Sequence, residues 1–258
     1  MSDEEPVRCV VEGPVATLTL DRPDRRNAMT TEMVIELHDR LQELRARDDV
    51  RVVVLTASGE EFFCPGAYLG GGRGGGEATR RLPEPWHLQV PVLLHDMPQV
   101  TLAAINGACA GAGLGWALGC DLRIASSAAR FNTAFLAVGV AGDMGVPWSL
   151  IRLVGAAKAR ELFFLKGKFD AAEALRLGIV SDVHPLETFR QEVAAAVERL
   201  ASAPALALRT MKANFLAAEK MDFGDFVAIE SERHLRLVTG PEFAAGIAAF
   251  QAAKGANR

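Results

Sequence analysis

The chain has 258 residues, half of them hydrophobic, and a formal net charge of −4 from 28 basic and 32 acidic residues. That length allows one large domain or two smaller ones around a sizeable core, and it excludes a chain disordered throughout. The acidic balance and an aromatic content of 7% argue against a nucleic-acid surface, which needs a basic stripe and stacking platforms.

Met1–Pro6 carries three acids and no basic residue, the reverse of a signal or transit peptide, so a soluble cytoplasmic protein is expected. Val7–Val11 and Val15–Leu20 read as a hairpin around Glu12-Gly13-Pro14. Thr30 or Thr31 can cap a helix running to about Arg47, with apolar residues at Met33, Val34, Leu37, Leu41 and Leu44. Val50–Thr56 is a near-continuous apolar strand, as a strand buried on both faces would be. Gly70–Gly76 holds six glycines around Arg73 and reads as a mobile loop. It lacks the GK[ST] ending of a phosphate-cradling loop.

Val100–Cys120 is 21 residues without a charge, long enough to cross a bilayer. The Asn106-Gly107 turn signal in its middle favours a buried strand, a turn and a helix from Ala112. Leu122–Ser126 and a piece near Arg130–Phe131 are further strands. Helices follow over Lys158–Lys166, Ala171–Leu177 (capped by Asp170 and stopped by Gly178), Leu186–Ala201, Ala205–Ala218, Phe223–Val238 and Glu242–Ala253. This order suggests an α/β core over residues 1–185 and a helical region over residues 186–258.

Several chemistries lack their residues. No GxSxG elbow and no GxGxxG after a strand is present. Cys9, Cys64, Cys109 and Cys120 form no CxxC pair, so neither a zinc ribbon nor a thioredoxin-type site is expected. The five histidines show no HExxH spacing, and each reads as a surface or core residue, with no metal implied. Two glycine-rich turns remain: Glu61–Leu69 after one strand, and Asn106–Gly115 leading from a strand into a helix. Two such turns can aim two backbone N–H donors at one oxygen, as in an oxyanion hole. The alternative is that the glycines only permit tight packing.

These segments resemble the enoyl-CoA hydratase/isomerase (crotonase) superfamily over nearly the whole chain. The marks are Leu20-Asp21-Arg22-Pro23 with Arg26-Asn27-Ala28-Met29, Phe63-Cys64-Pro65-Gly66-Ala67, and the Asn106–Gly115 turn leading to Gly119-Cys120-Asp121-Leu122-Arg123-Ile124-Ala125. Leu150–Gly155 and Ala172–Gly178 complete the set. The resemblance implies a spiral of ββα units, C-terminal helices that mediate a homotrimer or dimer of trimers, and an acyl-CoA thioester as substrate. It implies no permanently bound cofactor, coenzyme A arriving as part of the substrate. By position, the N–H groups of Ala67 and Ala112 would form the oxyanion hole. Arg25, Arg26, Ala28, Gly66, Tyr68 and Leu69 would contact CoA, and Trp86, Phe135, Gly115 and Trp148 would line the acyl pocket. The aromatic residues would favour a bulky or cyclic acyl group, although they suit an ordinary core equally.

The resemblance also has departures. Where the family usually reads GAD, Tyr68 replaces the acid and Pro65 replaces a small residue, which bears on the shape of the acyl pocket. The two glutamates of the family's hydratases fall on Gly115 and Phe135, neither of which can move a proton. Asp143, in the Gly139–Leu150 stretch, matches a catalytic aspartate of the ring-epoxide isomerases, dienoyl-CoA isomerases and 4-chlorobenzoyl-CoA dehalogenases of this superfamily. Its apolar and glycine neighbours imply desolvation that suits a carboxyl to proton transfer. The alternative is a cap for a helix beginning near Pro147. The expectation is therefore an isomerase using Asp143. Hydration, dehalogenation with His87 near the site, or silent acyl-CoA binding are the other readings.

Overall fold

The computed structural model describes residues 5–68 and 83–256. Val7–Glu12 (β1) and Val15–Leu20 (β2) form the expected antiparallel hairpin. Thr30 accepts the Met33 N–H and starts Thr31–Arg45 (α1), so the cap is Thr30 rather than Thr31. Val52–Ala57 (β3) and Val100–Ile105 (β5) pair in parallel, and β2 pairs in parallel with β3. Between them come Phe62–Cys64 (β4) and Val90–Asp96 (α2). Ala108–Ala110 (β6) then leads to Ala112–Gly119 (α3). Leu122–Ser126 (β7), Arg130–Asn132 (β8) and Val146–Glu161 (α4) follow. The chain continues through Lys168–Asp170 (β9), Ala171–Arg176 (α5) and Asp182–His184 (β10). Leu186–Ser202 (α6), Ala205–Ala218 (α7), Phe223–Val238 (α8) and Pro241–Ala256 (α9) end it.

Among the described residues two sheets result, ordered β1-β2-β3-β5-β7-β10 and β4-β6-β8-β9. A long strand, a three-residue strand and a helix recur as β3-β4-α2 and β5-β6-α3, which winds the chain into a spiral. This is the spiral of ββα units that the resemblance implies, with the helical region at the C-terminal end.

Both faces of the larger sheet are covered, which is why β3 reads as an unbroken apolar run. Val53 and Leu55 join the main core with Leu37, Leu41 and Ile105. Val52 and Val54 turn the other way, onto Phe189 and Val193 of α6. Thus α6, the first helix of the C-terminal region, closes a layer of the core.

One expected helix has other bounds, and α2 with the short strands β4, β6, β9 and β10 adds to the expected elements. The expected helix over Lys158–Lys166 belongs to a longer unit: α4 begins at Val146, is interrupted at Gly155 (φ 77°, ψ 157°) and continues as a wider π turn over Leu162–Lys166. A glycine takes that left-handed angle at little cost. Among the described residues no helix is long and apolar enough to cross a membrane; Val100–Cys120 divides into β5, β6 and α3.

One buried cation docks α7 on this core. Lys212 is 4% exposed, and burial lowers its amine below the usual range. Its Nζ lies 2.8 Å from Asp121 Oδ2 and donates to the carbonyls of Gln99 (2.7 Å) and Leu94 (3.3 Å). Removing one partner of a buried pair strands the other charge, so Lys212→Ala should cost about 3–5 kcal/mol, read as a lower urea midpoint. An unchanged midpoint would show that the α7 contact contributes nothing to stability.

Candidate active site

The loop after β2 is set by a buried asparagine. Asn27 (1% exposed) donates its amide to the carbonyls of Ser58 and Phe62 at 2.9 Å and accepts the Arg22 N–H at 2.9 Å. Arg26 and Asn27 both take left-handed angles to make this turn. The loop thereby delivers Ala28 and Met29 to the Gly66–Tyr68 segment. Met29 N–H donates to Gly66 O (2.9 Å), and Tyr68 N–H donates to Met29 O (2.8 Å). Extended residues alternate the direction of their N–H groups, so this pairing turns the Ala67 N–H to the other side. Among the described residues that N–H has no acceptor.

The second turn is built by α3. Gly111 precedes it at φ 53°, ψ −127° with no side-chain cap, and Ala112 is its first helical residue. The first N–H groups of a helix have no intrahelical acceptor and lie at the positive end of its dipole. Ala112 N–H has no other acceptor among the described residues. The turns touch: a Cβ on Gly66 would lie 3.3 Å from Ala110 O and 3.9 Å from Ala112 N, and one on Gly111 would lie 3.8 Å from Gly66 Cα. Two unused backbone donors therefore stand on adjoining turns. Gly113 seats α3 on β4, since a Cβ there would land on the Cys64 carbonyl and 2.7 Å from its Sγ.

The positions where the hydratase glutamates would fall are filled differently. A Cβ on Gly115 would land on Met144 Cβ and 2.6 Å from Met144 O, so Met144 occupies that space. Phe135 is buried, with Cε1 at 4.0 Å from where a Gly111 Cβ would be, and it stacks on Phe163 at 6.0 Å and 11°. Asp143 lies beside Met144 on a segment with four left-handed residues: Gly139, Gly142, Met144 and Gly145. Such an angle at a non-glycine residue stores about 1–3 kcal/mol of strain and marks a place the surrounding structure enforces.

Asp143 is exposed, which removes the enclosure by apolar neighbours expected from the sequence. Nor is its side chain the cap of α4. Its Oδ1 accepts the Met144 N–H at 2.7 Å, while Val146 N–H goes to the Asp143 backbone carbonyl.

Arg25 and Tyr68 come together: the guanidinium donates to the Tyr68 hydroxyl at 2.8 Å and lies 5.3 Å from the ring centre. Arg26 instead stacks over Phe62 at 5.6 Å. Leu69 falls outside the described residues. Trp86 and Trp148, expected at the acyl pocket, lie on the Pro85–Gln89 turn and on α4. Trp86 is 55% exposed beside His87. Trp148 is held between the Arg152 guanidinium (3.5 Å) and the edge of His95 (5.7 Å), at a cavity of about 560 Å³ that includes Leu118 and Gly119. Cys64 lies against α3, but burial pushes its thiol up to about 12, and Cys109 is raised likewise, so neither supplies a thiolate.

Met144 was missed as the group that fills the Gly115 space, and Asn27 as the tie between the two loops. Asn27 had a signal, a polar residue inside the Arg26–Met29 mark; Met144 had none, because its place depends on a left-handed backbone.

A spiral of ββα units that sets a helix N-terminus against a glycine turn defines the crotonase class. The enoyl-CoA hydratase/isomerase family model matches residues 11–256. A Mycobacterium tuberculosis protein named "probable enoyl-CoA hydratase" is 38% identical, covering 97% of this chain and 99% of its own. The 1,2-epoxyphenylacetyl-CoA isomerase of Escherichia coli is 30% identical, covering 94% of each. A Thermobifida fusca structure solved in complex with CoA superposes with a TM-score of 0.83 at 31% identity, over 91% of this chain and 93% of its own. The chain belongs to the enoyl-CoA hydratase/isomerase family.

The Gly115–Met144 contact has a direct test. Gly115→Ala forces a methyl into Met144, and overpacking of this kind typically costs about 1–3 kcal/mol. Its urea midpoint should fall, whereas an unaltered midpoint would mean that the 139–145 segment yields freely.

Proposed function

We propose that this chain isomerises acyl-CoA thioesters, moving a double bond or rearranging a ring beside the thioester, with Asp143 as the proton carrier. The observation that carries this reading is the pair of unused donors, Ala67 N–H and Ala112 N–H, on adjoining turns. The thioester oxygen sits between them. Asp143 removes a proton from carbon, the electron pair moves onto the thioester oxygen as an enolate, and the two N–H groups and the α3 dipole stabilise that charge. The same carboxyl returns its proton to a different carbon, so nothing is gained or lost. Arg25, held by Tyr68, faces the CoA phosphates. The stacked Phe135 and Phe163 favour a flat or cyclic acyl group. No cofactor enters beyond the CoA of the substrate.

Support for isomerisation comes from Gly115 and Phe135, which hold no proton-moving group, and from the named activity of the Escherichia coli relative. Water addition needs one group to activate water and one to protonate carbon. The hydratase name of the Mycobacterium tuberculosis relative favours enoyl-CoA hydration as a second reading. Product analysis with enoyl-, dienoyl- and aryl-CoA substrates separates the two, since only hydration adds the mass of water.

Asp143→Asn keeps the shape and the acceptor for Met144 N–H but removes the base. Its kcat should fall about 10²–10⁴-fold. Substrate affinity should stay within about threefold, less than the ~1.4 kcal/mol that a tenfold change represents. Undiminished turnover would remove Asp143 from the mechanism.

The helical region supports assembly as a homotrimer or a dimer of trimers. Phe215 (67% exposed), Phe223 (82%) and Leu235 (63%) lie exposed on α7 and α8, where a neighbouring subunit would cover them. Light scattering at micromolar concentration should give a multiple of three chains; a monomer would overturn this assembly.

A further inference from the structure

Away from the proposed site, three side chains with ligand atoms converge where the turn at Pro85–Gln89 meets α1. His38, on α1, is buried, and its Nδ1 stands 2.9 Å from Asp39 Oδ1. His87, in the turn, sets its ring 5.2 Å from that of His38, edge to face at 80°. One ligand atom from each residue lies within 4.8 Å of the others. His38 and His87 lie on different elements and meet only in the fold, so no ligand spacing marks them in the sequence.

We propose that His38, Asp39 and His87 bind one zinc-class divalent cation, tying α1 to the 85–89 turn. Neighbouring ligand atoms around a tetrahedral ion with bonds of about 2.0–2.1 Å stand roughly 3.3 Å apart. The His38 and Asp39 atoms are already near that spacing, and side-chain rotation of His87 closes the third edge. Two imidazoles and one carboxylate suit zinc and its borderline neighbours; calcium and magnesium prefer all-oxygen shells. A water completes the shell, as in three-ligand zinc sites.

Each imidazole binds as a neutral tautomer. The cation takes the place of the proton between His38 Nδ1 and Asp39, and that proton moves to His38 Nε2. His87 Nδ1 accepts the Glu84 N–H at 3.2 Å. A cation bound at Nδ1 takes that lone pair, and one bound at Nε2 moves the ring proton to Nδ1; either way the Glu84 bond ends. Cation binding and this bond at the start of the turn are therefore alternatives.

Calorimetric titration of the untagged chain with Zn²⁺ tests the site, with Co²⁺ as a spectroscopic probe. The expected result is one equivalent bound, with the intense visible bands of four-coordinate cobalt. Affinity should fall about tenfold or more in both His87→Gln and Asp39→Asn, the usual cost of disturbing a metal site. Both side chains lie at or near the surface, and circular dichroism checks that the variants fold. Absence of saturable binding, or binding undiminished in either variant, would overturn the assignment. Undiminished binding would place the ion at another group, such as His95 with Asp96 and Glu219.

Discussion

The contact on which the structure turns is the close approach of two backbones, Gly66 against the Gly111–Ala112 turn. No side chain fits between them without pressing on the Ala110 carbonyl, so the meeting depends on hydrogen in place of Cβ. Gly113 repeats the constraint one residue on, letting α3 rest on the Cys64 carbonyl. Gly107 does so at the base of β6, where a Cβ would lie 2.5 Å from Phe62 N. These glycines act together: each lowers the distance between β4, β6 and α3 until two backbone donors stand side by side. The donors need no side chain and no pKa adjustment, so the proposed hole is as rigid as the sheets that carry it.

Around this fixed frame, the variable chemistry sits on the segment from Ala134 to Gly145. Absence of a side chain at Gly115 admits Met144 against the helix that begins at Ala112, and Asp143 precedes Met144 in the chain. A glutamate at position 115 and Met144 in its present place are sterically incompatible. The chain thus holds one arrangement or the other. Asp143 stays exposed while the strained Met144 beside it is buried against Gly115, so packing accounts for Met144 and not for the carboxylate. On the proposed reading, substrate or a neighbouring subunit supplies the enclosure that Asp143 lacks in the single chain.

Much of the frame was legible in the sequence, because its signals are local. The Glu12-Gly13-Pro14 hairpin, the cap at Thr30, the cap at Asp170 with the stop at Gly178, and the unbroken apolar β3 each follow from a few adjacent residues. The strands β4, β6, β9 and β10 have three residues each, too short for an alternation to register. The start of α4 was hidden by Gly155, which interrupts the helix without ending it. The approach of the Gly66 and Gly111 turns was legible as two glycine-rich segments, since close backbone contact needs residues without Cβ. The surroundings of Asp143, the outward position of Trp86 and the Arg152–Trp148 stack depend on which elements meet, and no nearby residue announces that.

On the proposed mechanism, Ala67 N–H and Ala112 N–H hold the thioester oxygen. The carbonyl stretch of a bound thioester reports this directly, because hydrogen bonds weaken the C=O bond. Isotope-edited infrared spectra of butyryl-CoA carrying ¹³C at the carbonyl should show the band moved to lower frequency on binding, relative to the same thioester in water. The shift should persist in Asp143→Asn, since neither donor belongs to that side chain. A bound carbonyl at the frequency found in water would contradict the account.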